Sequence, residues 1–210
     1  MDRSRPVKPE LVRSADQASA SPCPDGILAG LGKRLCRWRK ARLVRRALRQ
    51  AGEPSLILDL SHETGSFWPV LAEHGNRVIL AATASPESLS AVLDAQPASL
   101  AARIKVVQGA AAAIQLHDNA VDSIFCMGLL PLLAEADQRL AILRELRRVT
   151  RDTLIVSLQL DGWRQKGSGV KRATIEEEIG RVGFDIVGRY GFLPGYSTLW
   201  IYVLRKEDRR

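Results

Sequence analysis

The chain has 210 residues, 46% hydrophobic and 26% charged, which suits one globular domain with a sizeable core plus an extension. It holds no run of the roughly 18 apolar residues that a membrane-spanning helix needs, and its first 30 residues lack the apolar core of a secretory signal, so a cytoplasmic location is expected. The net charge of +8 is uneven: residues 1–50 hold 13 Lys and Arg against 4 Asp and Glu, a net of +9, and the remainder sums to −1.

Residues 1–25 mix Pro6, Pro9, Pro22 and Pro24 with Ser, Ala and Asp and show no sustained period, which predicts a leader without structure of its own. Residues 26–50 form a cationic helix. Its apolar positions are Leu28, Leu31, Leu35 and Trp38, then Leu43, Val44, Ala47 and Leu48, among nine Lys and Arg between Lys33 and Arg49. This helix is expected to cap the sheet edge with a solvated basic face. Residues 33–49 are also expected to offer weak, non-specific contact to nucleic acid or to an anionic membrane surface.

Gly52-Glu53-Pro54 closes the helix. Leu56–Leu60 (LILDL), apolar except for Asp59, reads as a buried strand, Ser61–Gly65 as a tight turn and Phe67–Gly75 as a helix. Arg77–Ala82 is a second strand, and Ser85-Pro86-Glu87 opens a helix with Ser as N-cap and Pro at the first position. Ile104–Val107 and Val121–Met127 are the third and fourth strands, Gln138–Val149 an amphipathic helix, and Thr153–Leu160 the fifth strand. Thr174–Glu177 predicts a capping box opening a further helix. Phe184–Arg189 and Thr198–Arg205 are the sixth and seventh strands, and with no helix between them they must run antiparallel or nearly so. The alternation gives an α/β, doubly wound, mostly parallel seven-stranded sheet with a terminal antiparallel hairpin. The expected domains are a leader (1–25), the basic helix (26–50), the α/β domain (51–206) and a charged tail (207–210).

Three cysteines, Cys23, Cys36 and Cys126, are too few and too far apart for a zinc site or a disulfide framework, and no metal is expected. Asp59 is expected to fix its turn by accepting N–H groups. A pocket at the carboxyl ends of the strands would draw on Met127 and Gly128, Gln159, Trp163, Phe192 and Tyr196. No catalytic residue is assigned. His62 and His117 are placed near the same rim but fit ordinary turn histidines.

The segment LDLSHETG resembles the first motif of the class I S-adenosylmethionine (SAM) dependent methyltransferases, an acidic residue followed by three alternate glycines. The match puts Asp59 at the acid, Ser61 and Glu63 at the first two glycines and Gly65 at the third. The resemblance runs from about residue 42 to residue 206, through VVQGA and DNAVDSIFCMGLLPLL in the family's order. It implies a Rossmann-like fold with SAM as the cofactor, the methyl group being transferred by positioning. Family members usually hold the ribose with an acid after the second strand and the adenine amine with an Asp after the third. Thr83 and Ala110 stand at those positions. Each lost hydrogen bond to a charged group corresponds to about 1.5–3 kcal/mol, and a positive φ at Ser61 or Glu63 would add about 1–2 kcal/mol of strain. The resulting expectation is a methyltransferase-fold binding or scaffold module with a decayed SAM site, acting on an unknown small molecule or protein partner. The alternatives are an active SAM-dependent methyltransferase on a small molecule, and a binder of nucleic acid or anionic surfaces through the basic helix.

Overall fold

Runs of Val, Ile and Leu become the inner strands because both faces of each are covered by helices or chain. The structure is a computed structural model that describes residues 29–62, 64–83, 86–133, 135–161, 170–192 and 198–207. In chain order the elements are α1 (Ala29–Gln50), β1 (Leu56–Asp59), α2 (Trp68–Leu71), β2 (Val78–Thr83), α3 (Pro86–Asp94), α4 (Ala98–Ala101) and β3 (Ile104–Ala110). There follow β4 (Ala113–Ile114), β5 (Val121–Cys126), a 3₁₀ turn (Leu130–Leu132), α5 (Ala136–Val149), β6 (Thr150–Gln159), α6 (Arg172–Val182), β7 (Phe184–Gly191) and β8 (Leu199–Lys206). The leader and residues 208–210 lie outside the described residues, as does Ser85, the expected N-cap.

The sheet order is β4-β3-β2-β1-β5-β6-β8-β7. The five strands from β3 to β6 are parallel, and β8 runs antiparallel between β6 and β7. This is the expected doubly wound, mostly parallel sheet with its terminal antiparallel pair. It has eight strands and not seven, because β3 continues to Ala110 and folds back through the two-residue β4.

Successive residues of one strand feed two separate cores. Leu58, Ile124, Cys126, Leu154, Val156, Tyr202 and Leu204 face α5 and α6. Ile57, Ile79, Phe125, Ile155, Ile201 and Val203 face the other way, where α1, α2 and α3 contribute Val44, Ala47, Leu48, Trp68, Leu71 and Leu89. α1 therefore lies on a face of the sheet instead of capping its edge as expected.

Two helices depart from expectation. The helix after β1 is only α2, four residues long, because carbonyls that would continue it are taken by arginines: Arg77 Nη1 donates to Leu71 O at 2.8 Å and Arg103 Nη1 to Ala72 O at 2.7 Å. α6 begins at Arg172 with Lys171 as N-cap and no side-chain cap bond, so Thr174 and Glu177 sit inside the helix and form no capping box. The Arg172 guanidinium lies 4.3 Å from the centre of the Trp200 ring, a tertiary contact at the helix's first residue.

Candidate cofactor site

The strand-end rim is built on hydrogen bonding that carries β1 and β5 past their last ladder pair. Leu60 N–H donates to Phe125 O and His62 N–H to Met127 O, each at 2.8 Å, while Met127 N–H donates to Ser61 Oγ at 3.3 Å. Gly128 follows at φ +78° and donates its N–H to Ser157 Oγ at 2.7 Å. The turn after β1 is thereby tied to the turn after β5.

Asp59 closes the first turn from within. Its Oδ1 accepts Ser61 N–H at 2.9 Å, its Oδ2 accepts the Trp68 indole N–H at 2.8 Å, and the Gly65 backbone adds a further bond. The residue is only 1% exposed. Burial pushes its carboxyl above the usual range, and the bonds from Ser61, Trp68 and Gly65 pull against that shift. Cys126, also fully buried, is pushed up to about 12 by burial and secondly by the Asp59 charge, so its thiol stays neutral and inert as a nucleophile.

Gly65 has φ +91°, and a Cβ there would stand 2.5 Å from Val92 Cγ1, with the Trp68 ring next at 3.5 Å. Its need for glycine comes both from this positive φ and from the packing of the turn on α3 and Trp68. Ser61 carries no positive φ, since among described non-glycine residues only Glu53 and Asn119 do, so the conditional strain does not arise there. Glu63 lies outside the described residues.

Thr83, half-buried, ends β2 opposite Gln108 of β3. Ala110, exposed, ends β3 opposite Ala113. Gln159, half-buried, ends β6 opposite Leu199. Met127 is buried among the α1-side core residues. Phe192 is 2% exposed and serves α1: its carbonyl accepts from Arg39 Nε and its ring lies 5.8 Å from that guanidinium. Trp163 and Tyr196 lie outside the described residues. His62 is exposed at the rim with its Cβ against Gly128. His117 is not at the rim, because it precedes β5 beside the last turn of α5, where Arg148 binds Leu116 O and Asp118. Sequence reading missed Trp68 and Ser157, since an indole nine residues past Asp59 and a hydroxyl on β6 carry no local signal.

The fit to SAM is therefore incomplete among these residues. Neither Thr83 nor Ala110 bears a carboxylate, and Asp59 is buried with its oxygens facing into the turn. Two described grooves lie at the opposite end of the sheet. One, of about 410 Å³, is lined by Arg45, Glu53, His74 and Arg77, and the other, of about 370 Å³, by Arg144, Arg147, Arg181 and Lys206.

Residues 57–153 match the family model described as a methyltransferase domain. No curated protein matches the sequence. Among solved structures, magnesium protoporphyrin IX methyltransferase from Synechocystis PCC 6803 with bound SAM is similar at 17% identity and TM-score 0.66, over 88% of this chain and 87% of that one. A SAM dependent methyltransferase from Aquifex aeolicus is similar at 20% identity and TM-score 0.57, over 71% and 81%. The cyclase SpnF is similar at 17% identity and TM-score 0.61, over 80% and 81%. At these identities the solved structures speak for the fold, and the matched domain spans β1 into β6, the part that carries the motif around Asp59. Residues 57–153 thus carry the methyltransferase-domain match, and the chain shares its fold with SAM-dependent methyltransferases.

Proposed function

We propose that this protein is a cytoplasmic binding or scaffold module on a methyltransferase fold, with a SAM site that has lost its acidic contacts. One observation carries the reading: Asp59 is 1% exposed and turned inward to Ser61, Trp68 and Gly65, and Thr83 and Ala110 supply no other carboxylate. Two missing charged hydrogen bonds correspond to roughly 3–6 kcal/mol, or about two to four decades of affinity. The likeness to the cyclase SpnF supports a use of the fold other than methyl transfer.

The second reading is an active SAM-dependent methyltransferase on a small molecule. It is favoured by the retained frame, in which Gly65 and Gly128 keep their positive φ at the ends of β1 and β5. Calorimetry of the full chain with SAM and with S-adenosylhomocysteine decides between them. Binding weaker than about 100 μM is expected. A dissociation constant near 1 μM would remove the first reading in favour of the second.

A further inference from the structure

Leu35 and Trp38 of α1 point away from the helix's buried apolar residues. Val44, Ala47 and Leu48, with Ala51 just beyond the helix, are buried against the sheet. Leu35 precedes Val44 by nine residues, about two and a half turns at 3.6 residues per turn, and so lies on the far side. Leu35 is 64% exposed and Trp38, three residues on and on the same face, is 53% exposed; the other exposed large hydrophobic among the described residues is Val106.

The surroundings of this stripe are uniformly cationic. α1 carries nine Lys and Arg and no Asp or Glu. Arg39 is turned to Phe192, and Arg45 is paired bidentately with Glu73. Lys33, Arg34, Arg37 and Arg42 are exposed around Leu35 and Trp38, and the Arg42 guanidinium lies 5.6 Å from the centre of the Trp38 ring.

We propose that this face of α1 docks on the interface of an anionic lipid bilayer, with Leu35 and Trp38 in the headgroup boundary and the flanking Lys and Arg on lipid phosphates. Each ingredient has its own warrant. An indole is favoured where one side is apolar and the other wet. Long cationic side chains lay their stems along the apolar layer and keep their charge at the phosphates. A helix with a basic surround and an exposed apolar stripe lies in the plane of the interface. Nucleic acid would meet the charge but leave Leu35 in water. No described helix is long and apolar enough to cross a membrane, so the contact is a surface one. The proposal stands whether or not SAM binds.

Flotation of the full chain with vesicles tests it. Vesicles containing about 30 mol% phosphatidylglycerol should carry the protein while pure phosphatidylcholine vesicles do not. Binding should weaken as salt rises from about 0.1 to about 0.5 M. Leu35→Ser with Trp38→Ser, both at exposed positions, should keep the circular dichroism spectrum and lower affinity for anionic vesicles about tenfold or more. Independently of any folding defect in that variant, the emission difference between wild type and Trp38→Phe should shift to the blue on adding anionic vesicles. No shift, or vesicle binding indifferent to the Ser pair, overturns the proposal. So does duplex DNA bound as tightly as the anionic vesicles at the same salt and equally indifferent to the pair. A dimer in sedimentation that the pair makes monomeric, without vesicle binding, would assign the stripe to a second copy instead.

Discussion

Asp59 is a carboxylate shut away from water with its donors supplied by its own turn and by Trp68. Burial raises its pKa, so the native state holds this proton more tightly than the unfolded chain does. The stability it contributes is complete below the unfolded value of about 3.9 and is lost as pH rises through the folded value. Asp59→Asn cannot ionise; its amide facing the indole N–H adds a cost that does not vary with pH. The stability of the variant relative to wild type should therefore climb as pH rises above about 4, read by urea denaturation at each pH. A flat difference would refute the raised pKa. The role of Asp59 in its turn was legible, because a carboxylate two residues before a turn N–H is a local pattern. The reason for Gly65 was not, since Val92 comes from α3. Gly65→Ala should destabilise by about 1–2 kcal/mol from backbone strain and about 1–3 kcal/mol from overpacking. Adding Val92→Ala should recover part of the second contribution, so that the two changes are less than additive in chemical denaturation. Full additivity would show that Val92 is not what Gly65 avoids.

At the scale of elements, α5 and α6 are joined by Arg139 and Glu178, whose side chains are both 5% exposed and meet bidentately at 2.9 and 2.6 Å. Arg139 also donates to Leu133 O at the chain segment that enters α5. Removing one charge strands the other, so Arg139→Met should cost about 3–5 kcal/mol, whereas Arg139→Met with Glu178→Leu should return close to wild type. If the double variant is as unstable as the single one in denaturant titration, the pair matters through geometry and not through charge. Helix α5 was legible nearly to its ends because its apolar period is strong. α2 was not, because its length is set by Arg77 and by Arg103, which follows it by some thirty positions in sequence. The start of α6 was misread because a capping pattern is local while Arg172 on Trp200 is not. β4 lies in an alanine run with no period to read.

Across the whole molecule, the parallel sheet could be read from strands alternating with helices, and the last antiparallel pair from the missing helix between β7 and β8. The place of α1 could not, because its two apolar groups look continuous in sequence and separate only once Val44 and Leu48 are seated. β8 sits between β6 and β7, so β7 is held in the sheet by β8 alone. This sets an order on events during synthesis. When β7 emerges from the ribosome, the strand it pairs with has not been made. Part of the seat for α1, through Ile201 and Val203, arrives with the same strand. The first described helix of the fold thus completes its seat only when the last strand has been made.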